Sequence, residues 1–121
     1  GKDVIIDGKK IKHKELTYLE KGKKISFIFD TRFNSKIGKL VEGADLMISE
    51  STYLDEEDLA NDYGHMTAKQ VSEIAKKSDV KKLILIHLSQ RYETSGKEFL
   101  STAGKIFKNI FIANDFDRVE I

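Results

Sequence analysis

Short, almost continuously apolar runs recur along the chain and alternate with amphipathic helical segments. This alternation constrains the fold more than any other feature of the sequence. The runs are Ile25–Phe29, Leu46–Ile48, Leu83–Ile86 and Ile110–Ile112. Runs of this length and composition are typical of strands that are buried on both faces of a sheet. The sequence therefore predicts a layered α/β arrangement.

Two further strand regions lie near the ends of the chain. Asp7-Gly8 is a favoured hairpin turn, so Val4–Ile6 is expected to pair antiparallel with the segment around Ile11. Val119–Ile121 is short and apolar at both ends, and it predicts a last strand.

Helix signals fill the spaces between the apolar runs. Lys36–Val41 predicts a short helical turn. Thr67 followed by Gln70 has the spacing of a capping box, and apolar residues on one helical face follow it. Ser95 followed by Glu98 has the same spacing and predicts the start of another helix.

The composition excludes several classes of protein. The 121 residues suffice for one small domain, and no apolar run is long enough to span a bilayer. The chain has no cysteine, so disulfides are excluded and any metal must be held by nitrogen and oxygen. The first residues lack the layout of a signal peptide, and we therefore expect a cytoplasmic protein without a membrane partner.

The charge is distributed unevenly although the net charge is only +1. Residues 1–24 hold eight lysines and four acids, whereas residues 42–62 hold eight acids and neither lysine nor arginine. Both blocks are typical of solvent-facing surface. The net charge gives no argument for a nucleic-acid partner.

Three polar residues follow the ends of predicted strands, where open α/β sheets usually build their sites. Asp30, Glu50 and His87 occupy these positions. Taken singly, an aspartate there more often caps a turn, and a lone histidine is more often structural. His65 lies just before the Thr67 helix, and Glu50 is a candidate acidic partner for its imidazole.

Four motifs occur in an order that is more specific than any of them alone. They are Phe29-Asp30-Thr31-Arg32, Ala44–Thr52, Gly64-His65-Met66-Thr67-Ala68 and Leu83–Tyr92. Together they resemble the C-terminal half of the ribonuclease Z family, the tRNA 3′-processing endonucleases of the metallo-β-lactamase superfamily. The resemblance covers most of the chain.

The resemblance implies roles for four residues. Asp30 matches the family aspartate that bridges two zinc ions, and His87 matches the last histidine ligand. His65 matches the histidine thought to protonate the leaving oxygen, and Glu50 matches the carboxylate that orients it. Thr67, Lys69 and Arg91 are weaker candidates for contacts with the substrate, precursor tRNA.

The family's main metal motif, His-x-His-x-Asp-His, does not occur in this sequence. We therefore expect residues 1–121 to be the C-terminal half of a metallo-β-lactamase domain, inactive alone. The implied fold is one half of a four-layer αβ/βα sandwich, a mixed sheet with helices on its outer face. The bare inner face is expected to pair with the missing N-terminal half or in a homodimer.

Two alternatives remain open. The first is another hydrolase of the same superfamily, such as a sulfatase or a phosphodiesterase for small diesters. The second is a non-catalytic α/β module that binds a partner through its sheet face.

Overall fold

The computed structural model describes residues 1–92 and 96–121. Its strands and helices alternate along most of the chain. In chain order they are β1 (Val4–Ile6), β2 (Lys9–Ile11), α1 (His13–Leu16), β3 (Ile25–Ile28), α2 (Lys36–Val41), β4 (Leu46–Glu50), α3 (Glu57–Tyr63), α4 (Ala68–Lys77), β5 (Leu83–Ile86), α5 (Lys97–Ala103) and β6 (Ile110–Ile112). The expected α/β class is confirmed.

The central sheet has the order β3-β4-β5-β6, and every neighbouring pair is parallel. Crossovers between parallel strands are almost always right-handed, so a sheet whose strands follow in sequence order receives its helices on one face. The packing agrees, because α2, α4 and α5 share one apolar core with alternate residues of the strands. This core includes Ile28, Ile37, Val41, Met47, Val71, Ile74, Leu83, Leu85 and Phe99.

The other face of the sheet carries apolar side chains without helices over them. Phe27 and Phe29 are each 55% exposed, and their rings stack with centroids 5.8 Å apart. Ile25 and Phe111 lie on the same face and are also exposed. The expectation that the Ile25–Phe29 strand is buried on both faces is therefore wrong, because all the packed helices lie on the opposite side.

The terminal strands agree only in part with the sequence. The hairpin of β1 and β2 is confirmed, and it forms a separate antiparallel sheet beside the parallel one. Val119–Ile121 forms no strand. The Glu120 carbonyl accepts a hydrogen bond from Lys82 Nζ (2.7 Å). This backbone carbonyl is thus paired with a side chain and not with the backbone of a neighbouring strand.

The helix predictions agree more closely. Helix α2 has the predicted bounds, and α4 begins at a complete capping box. Thr67 Oγ1 accepts from the Gln70 N–H, and Gln70 Oε1 accepts from the Thr67 N–H, both at 3.0 Å. Ser95, the predicted cap of the next helix, lies outside the described residues. Within the described residues, no helix combines the length and the apolar character needed to cross a membrane.

We expect Thr67→Ala to lower the free energy of unfolding by about 1 kcal/mol, because it leaves the Gln70 N–H without its cap acceptor. Thr67→Ser keeps the hydroxyl and is the matched control, expected to lose clearly less. Urea unfolding followed by circular dichroism measures both variants. Equal losses in the two would contradict the capping role.

Candidate active site

The carboxyl ends of β3, β4 and β5 meet at one edge of the parallel sheet. Asp30 lies two residues after β3, Glu50 ends β4 and His87 directly follows β5. Asp30 and His87 both have left-handed backbones, with φ values of 37° and 55°. Non-glycine residues rarely adopt this conformation, and it is concentrated at functional sites.

The Glu50 carboxylate is fully buried and surrounded by donors. Its Oε1 accepts from the backbone N–H groups of Thr31 (3.2 Å) and Met66 (3.0 Å). Its Oε2 accepts from the N–H (3.1 Å) and the hydroxyl (2.9 Å) of Thr52. Since burying a carboxylate is costly unless its oxygens are hydrogen-bonded, these donors are what make the position tolerable.

His65 is held by the same carboxylate. Its Nδ1 lies 3.3 Å from Glu50 Oε1. An ionised carboxylate only accepts hydrogen bonds, so Nδ1 carries the proton and Nε2 is left for another partner. The ring of Tyr53 packs beside the imidazole, with centroids 6.4 Å apart. Glu50 therefore fixes the orientation of the His65 ring.

His87 stands next to His65, with ring centroids 5.3 Å apart. Its Nδ1 lies 3.0 Å from Thr52 Oγ1 and 3.2 Å from Asp30 Oδ1. Thr52 thus joins His87 to Glu50. The sequence analysis missed Thr52, although its position two residues after Glu50 in the same loop was a usable signal.

Asp30, His65 and His87 form a cluster suited to a metal ion. Each offers one ligand atom, and these atoms all lie within 4.8 Å of one another. The side chains of Asp30 and His87 are 66% and 51% exposed, so the cluster opens to solvent. Imidazole nitrogen with carboxylate oxygen is a donor set that suits zinc and related divalent ions. The two predicted ligands are thus together, and His65 joins them.

The three candidate substrate contacts are placed differently. Thr67 is fully buried and its hydroxyl is used by the helix cap. Lys69 Nζ lies 3.4 Å from Glu57 Oε1, and Arg91 is exposed in the loop after β5. Their contacts with substrate stay predictions. His13 pairs instead with Asp3, at 3.1 Å.

A tyrosine clamps the loop that follows Thr52. The Tyr92 hydroxyl donates to the Glu56 carboxylate and accepts from the Leu54 N–H. Burial raises the pKa of Tyr92 to about 12, and the bond to Glu56 adds to the increase. The same bond lowers the pKa of Glu56. The clamp ties the β4–α3 loop to the segment after His87.

This one-sided α/β layer, with imidazoles and carboxylates gathered at its strand ends, matches a known family model. The model is the beta-lactamase superfamily domain, and it matches residues 15–88, a range that contains all four residues of the site. The chain therefore belongs to the beta-lactamase superfamily.

Within that superfamily the chain is similar to ribonuclease Z. It is 39% identical to ribonuclease Z of Lactobacillus helveticus, with 97% of this chain and 38% of the relative covered. It is 43% identical to that of Chlamydia trachomatis, with 84% and 34% covered, and 40% identical to that of Sulfolobus acidocaldarius, with 93% and 38% covered. The chain thus spans well under half the length of these curated relatives.

Two solved structures are similar as well. The metallo-beta-lactamase fold protein YhfI from Bacillus subtilis has a TM-score of 0.66 and 25% identity, with 74% of this chain and 36% of that chain covered. The short form of human tRNase Z has a TM-score of 0.62 and 29% identity, with 93% and 36% covered. The expected metallo-β-lactamase fold and the resemblance to ribonuclease Z are both confirmed.

The Tyr92 clamp predicts a late-titrating phenol. Its pKa is raised in the folded state, so its contribution to stability is complete below pH 10 and is lost as the pH rises through about 12. Tyrosinate absorbance during alkaline titration should show one of the four tyrosines ionising late. Tyr92→Phe should remove that late component, whereas Tyr18→Phe, at an exposed position, is the matched control and should leave the late component in place. A late component that survives in Tyr92→Phe would contradict the clamp.

Proposed function

We propose that the chain forms one wall of the active site of a metal-dependent endoribonuclease that removes the 3′ trailer of precursor tRNA. The observation that carries the proposal is the Glu50-centred cluster, which holds His65 beside His87 and Asp30. The similarity to ribonuclease Z along the whole chain supports the choice of substrate. A cytoplasmic location belongs to the same proposal.

Asp30 and His87 would hold the metal ion, which we propose to be zinc because imidazole nitrogen and carboxylate oxygen suit it. Metal bound there lowers the pKa of a coordinated water and stabilises charge on the phosphodiester. A catalytic zinc takes about three protein ligands, so two ions need more donors than this cluster offers. The remaining ligands would come from the part of the relatives that this chain does not span.

His65 would protonate the ribose oxygen that leaves phosphorus. Its Nδ1 is engaged with Glu50 at 3.3 Å, so Nε2 is the nitrogen that faces other partners. Glu50 would hold the ring in the orientation needed for that proton transfer. General acid catalysis of this kind contributes about 10²–10⁴ in rate.

The bare face of the central sheet supports the proposal that residues 1–121 are the C-terminal half of a four-layer αβ/βα domain. Ile25, Phe27, Phe29 and Phe111 leave apolar surface in water on that face, and the chain spans only 38% of the first relative. The missing N-terminal half would cover this surface. A homodimer of the chain is the competing arrangement, and light scattering of the chain alone and of the complete domain distinguishes the two.

A second candidate function is hydrolysis of another substrate, such as a sulfate ester or a small diester. The family model supports the superfamily without naming a substrate, and this candidate rests on the superfamily alone. Cleavage of precursor tRNA compared with a chromogenic diester separates the two. A non-catalytic module would cleave neither substrate.

We expect His65→Gln in the complete enzyme to slow precursor-tRNA cleavage by about 10²–10⁴, because the leaving oxygen loses its proton donor. A diester with a phenolate leaving group needs little protonation and should be slowed far less. His13→Gln, at the start of helix α1 and paired with Asp3, is the control and should cleave both substrates normally. Equal slowing on both substrates together with loss of bound zinc would instead make His65 a metal ligand.

We expect Asp30→Ala to abolish precursor-tRNA cleavage and to reduce bound zinc, because it removes the carboxylate proposed to hold the metal ion. Elemental analysis after dialysis and a cleavage assay measure the two effects. Asp3→Ala removes a carboxylate far along the chain from the site and is the matched control. Full activity of Asp30→Ala would refute the role of Asp30.

A further inference from the structure

We propose that Thr52 is a positioning residue that fixes the tautomer of His87, so that Nε2 of His87 is the metal-binding nitrogen. The inference rests on the proposed function for one point, which is that His87 binds a metal ion. Its basis is the placement of one nearly buried hydroxyl between a carboxylate and an imidazole. Thr52 Oγ1 lies 2.9 Å from Glu50 Oε2 and 3.0 Å from His87 Nδ1.

The hydrogen of the Thr52 hydroxyl is donated to Glu50 and not to His87. A hydroxyl has a single hydrogen to donate, whereas an ionised carboxylate has none. The contact between Thr52 and Glu50 therefore uses the hydroxyl hydrogen, and Thr52 Oγ1 keeps only lone pairs for His87. Those lone pairs require a hydrogen on His87 Nδ1.

The second neighbour of His87 Nδ1, Asp30, also requires a hydrogen on that nitrogen. Asp30 Oδ1 lies 3.2 Å from His87 Nδ1 and is also an acceptor. Two acceptors around one nitrogen place the hydrogen there, and Nε2 is left with the free lone pair that a metal ligand needs.

Thr52 and Asp30 are not equivalent partners. Asp30 has an exposed side chain and is itself a proposed metal ligand. Its oxygens would therefore be used by the metal, and not by His87 Nδ1, when metal is bound. Thr52 is only 8% exposed and both its N–H and its hydroxyl bond to Glu50. Thr52 is therefore the partner that holds the His87 tautomer with or without metal.

The arrangement predicts a tautomer that differs from the usual one. Neutral histidine in water favours the hydrogen on Nε2. In the full-length protein, freed of metal by a chelator and held at alkaline pH, long-range ¹H–¹⁵N spectra should show the hydrogen of His87 on Nδ1. The signal is assigned by its absence in His87→Gln.

The decisive variants are made in an Asp30→Ala background, which removes the competing acceptor. With Thr52 present, His87 should keep its hydrogen on Nδ1, and Thr52→Ser should preserve it. Thr52→Val should shift His87 towards the Nε2–H form. The inference is overturned if His87 carries its hydrogen on Nε2 in the unsubstituted protein, or if Thr52→Val leaves it on Nδ1.

Zinc affinity provides a second readout in the protein with Asp30 intact. Thr52→Val should weaken zinc binding by about 10–100-fold, which is the usual effect of losing a partner that orients a metal-binding histidine. Thr52→Ser should bind zinc as the parent does. Thr17→Val removes an exposed hydroxyl that donates to the His13 carbonyl, and it is the matched control because Thr17 lies outside the site. Unchanged affinity in Thr52→Val would overturn the inference, whereas absence of tRNA cleavage in the parent would overturn only the proposed function.

Discussion

The buried carboxylate of Glu50 is the interaction on which the site depends. Its donors come from three separate stretches of chain, namely the turn after β3, the turn after β4 and the residues just before α4. A buried donor or acceptor that loses its partner costs about 1–3 kcal/mol. Each of these three segments is therefore stabilised only in the position that also brings Asp30 and His65 to the sheet edge. The same contacts thus serve folding and site geometry.

The sequential strand order explains why so small a domain can be folded and still expose apolar side chains on one face of its sheet. Right-handed crossovers place the helices on one face of the sheet, and the resulting core buries β4 and β5 well. The same rule places no helix on the other face, where Phe27 and Phe111 are exposed although Ile84 between them is buried. Phe27 stacks on Phe29 there and still remains 55% exposed, and this is the apolar surface that the proposed second half of the domain would cover.

Much of the fold could be predicted from the sequence because its signals are local. β5 and β6 have the predicted bounds, and the capping box at Thr67 forms as its spacing indicates. The predictions that were wrong concern which elements pack against, or pair with, one another. The apolar residues of β3 gave no sign that one face lacks a cover, and Val119–Ile121 lacks a ladder partner although its composition suits a strand.

Helix α3 was missed for a related reason. Its sequence lies within the acidic block, which was interpreted only as solvent-facing surface, and this interpretation did not address its backbone conformation. In the structure the helix ends at Gly64, whose N–H bonds back to Ala60 and Asn61, and Arg32 Nε donates to the Asn61 carbonyl. The Arg32 contact joins α3 to the segment after Asp30, and no periodic pattern in the sequence predicts such a contact.

The candidate site residues could be predicted from their order along the chain, but the links between them could not. Asp30, Glu50, His65 and His87 are all chemically conspicuous residue types at strand or helix ends. Thr52 is not, since threonine is common in loops and its role depends on the two atoms beside it. A sequence pattern names the groups that can react, whereas the hydrogen-bond network that orients them appears only in three dimensions.

The shape of the carboxylate explains how an exposed site can remain ordered. His65 bonds to one Glu50 oxygen, and His87 is linked through Thr52 to the other. The two oxygens share one rigid plane, so a rotation that improved one contact would break the other. The separation of the two imidazoles, 5.3 Å between ring centroids, is thereby set by a buried group rather than by the exposed side chains themselves. Two imidazoles held by one carboxylate therefore keep their spacing at an edge that is open to solvent.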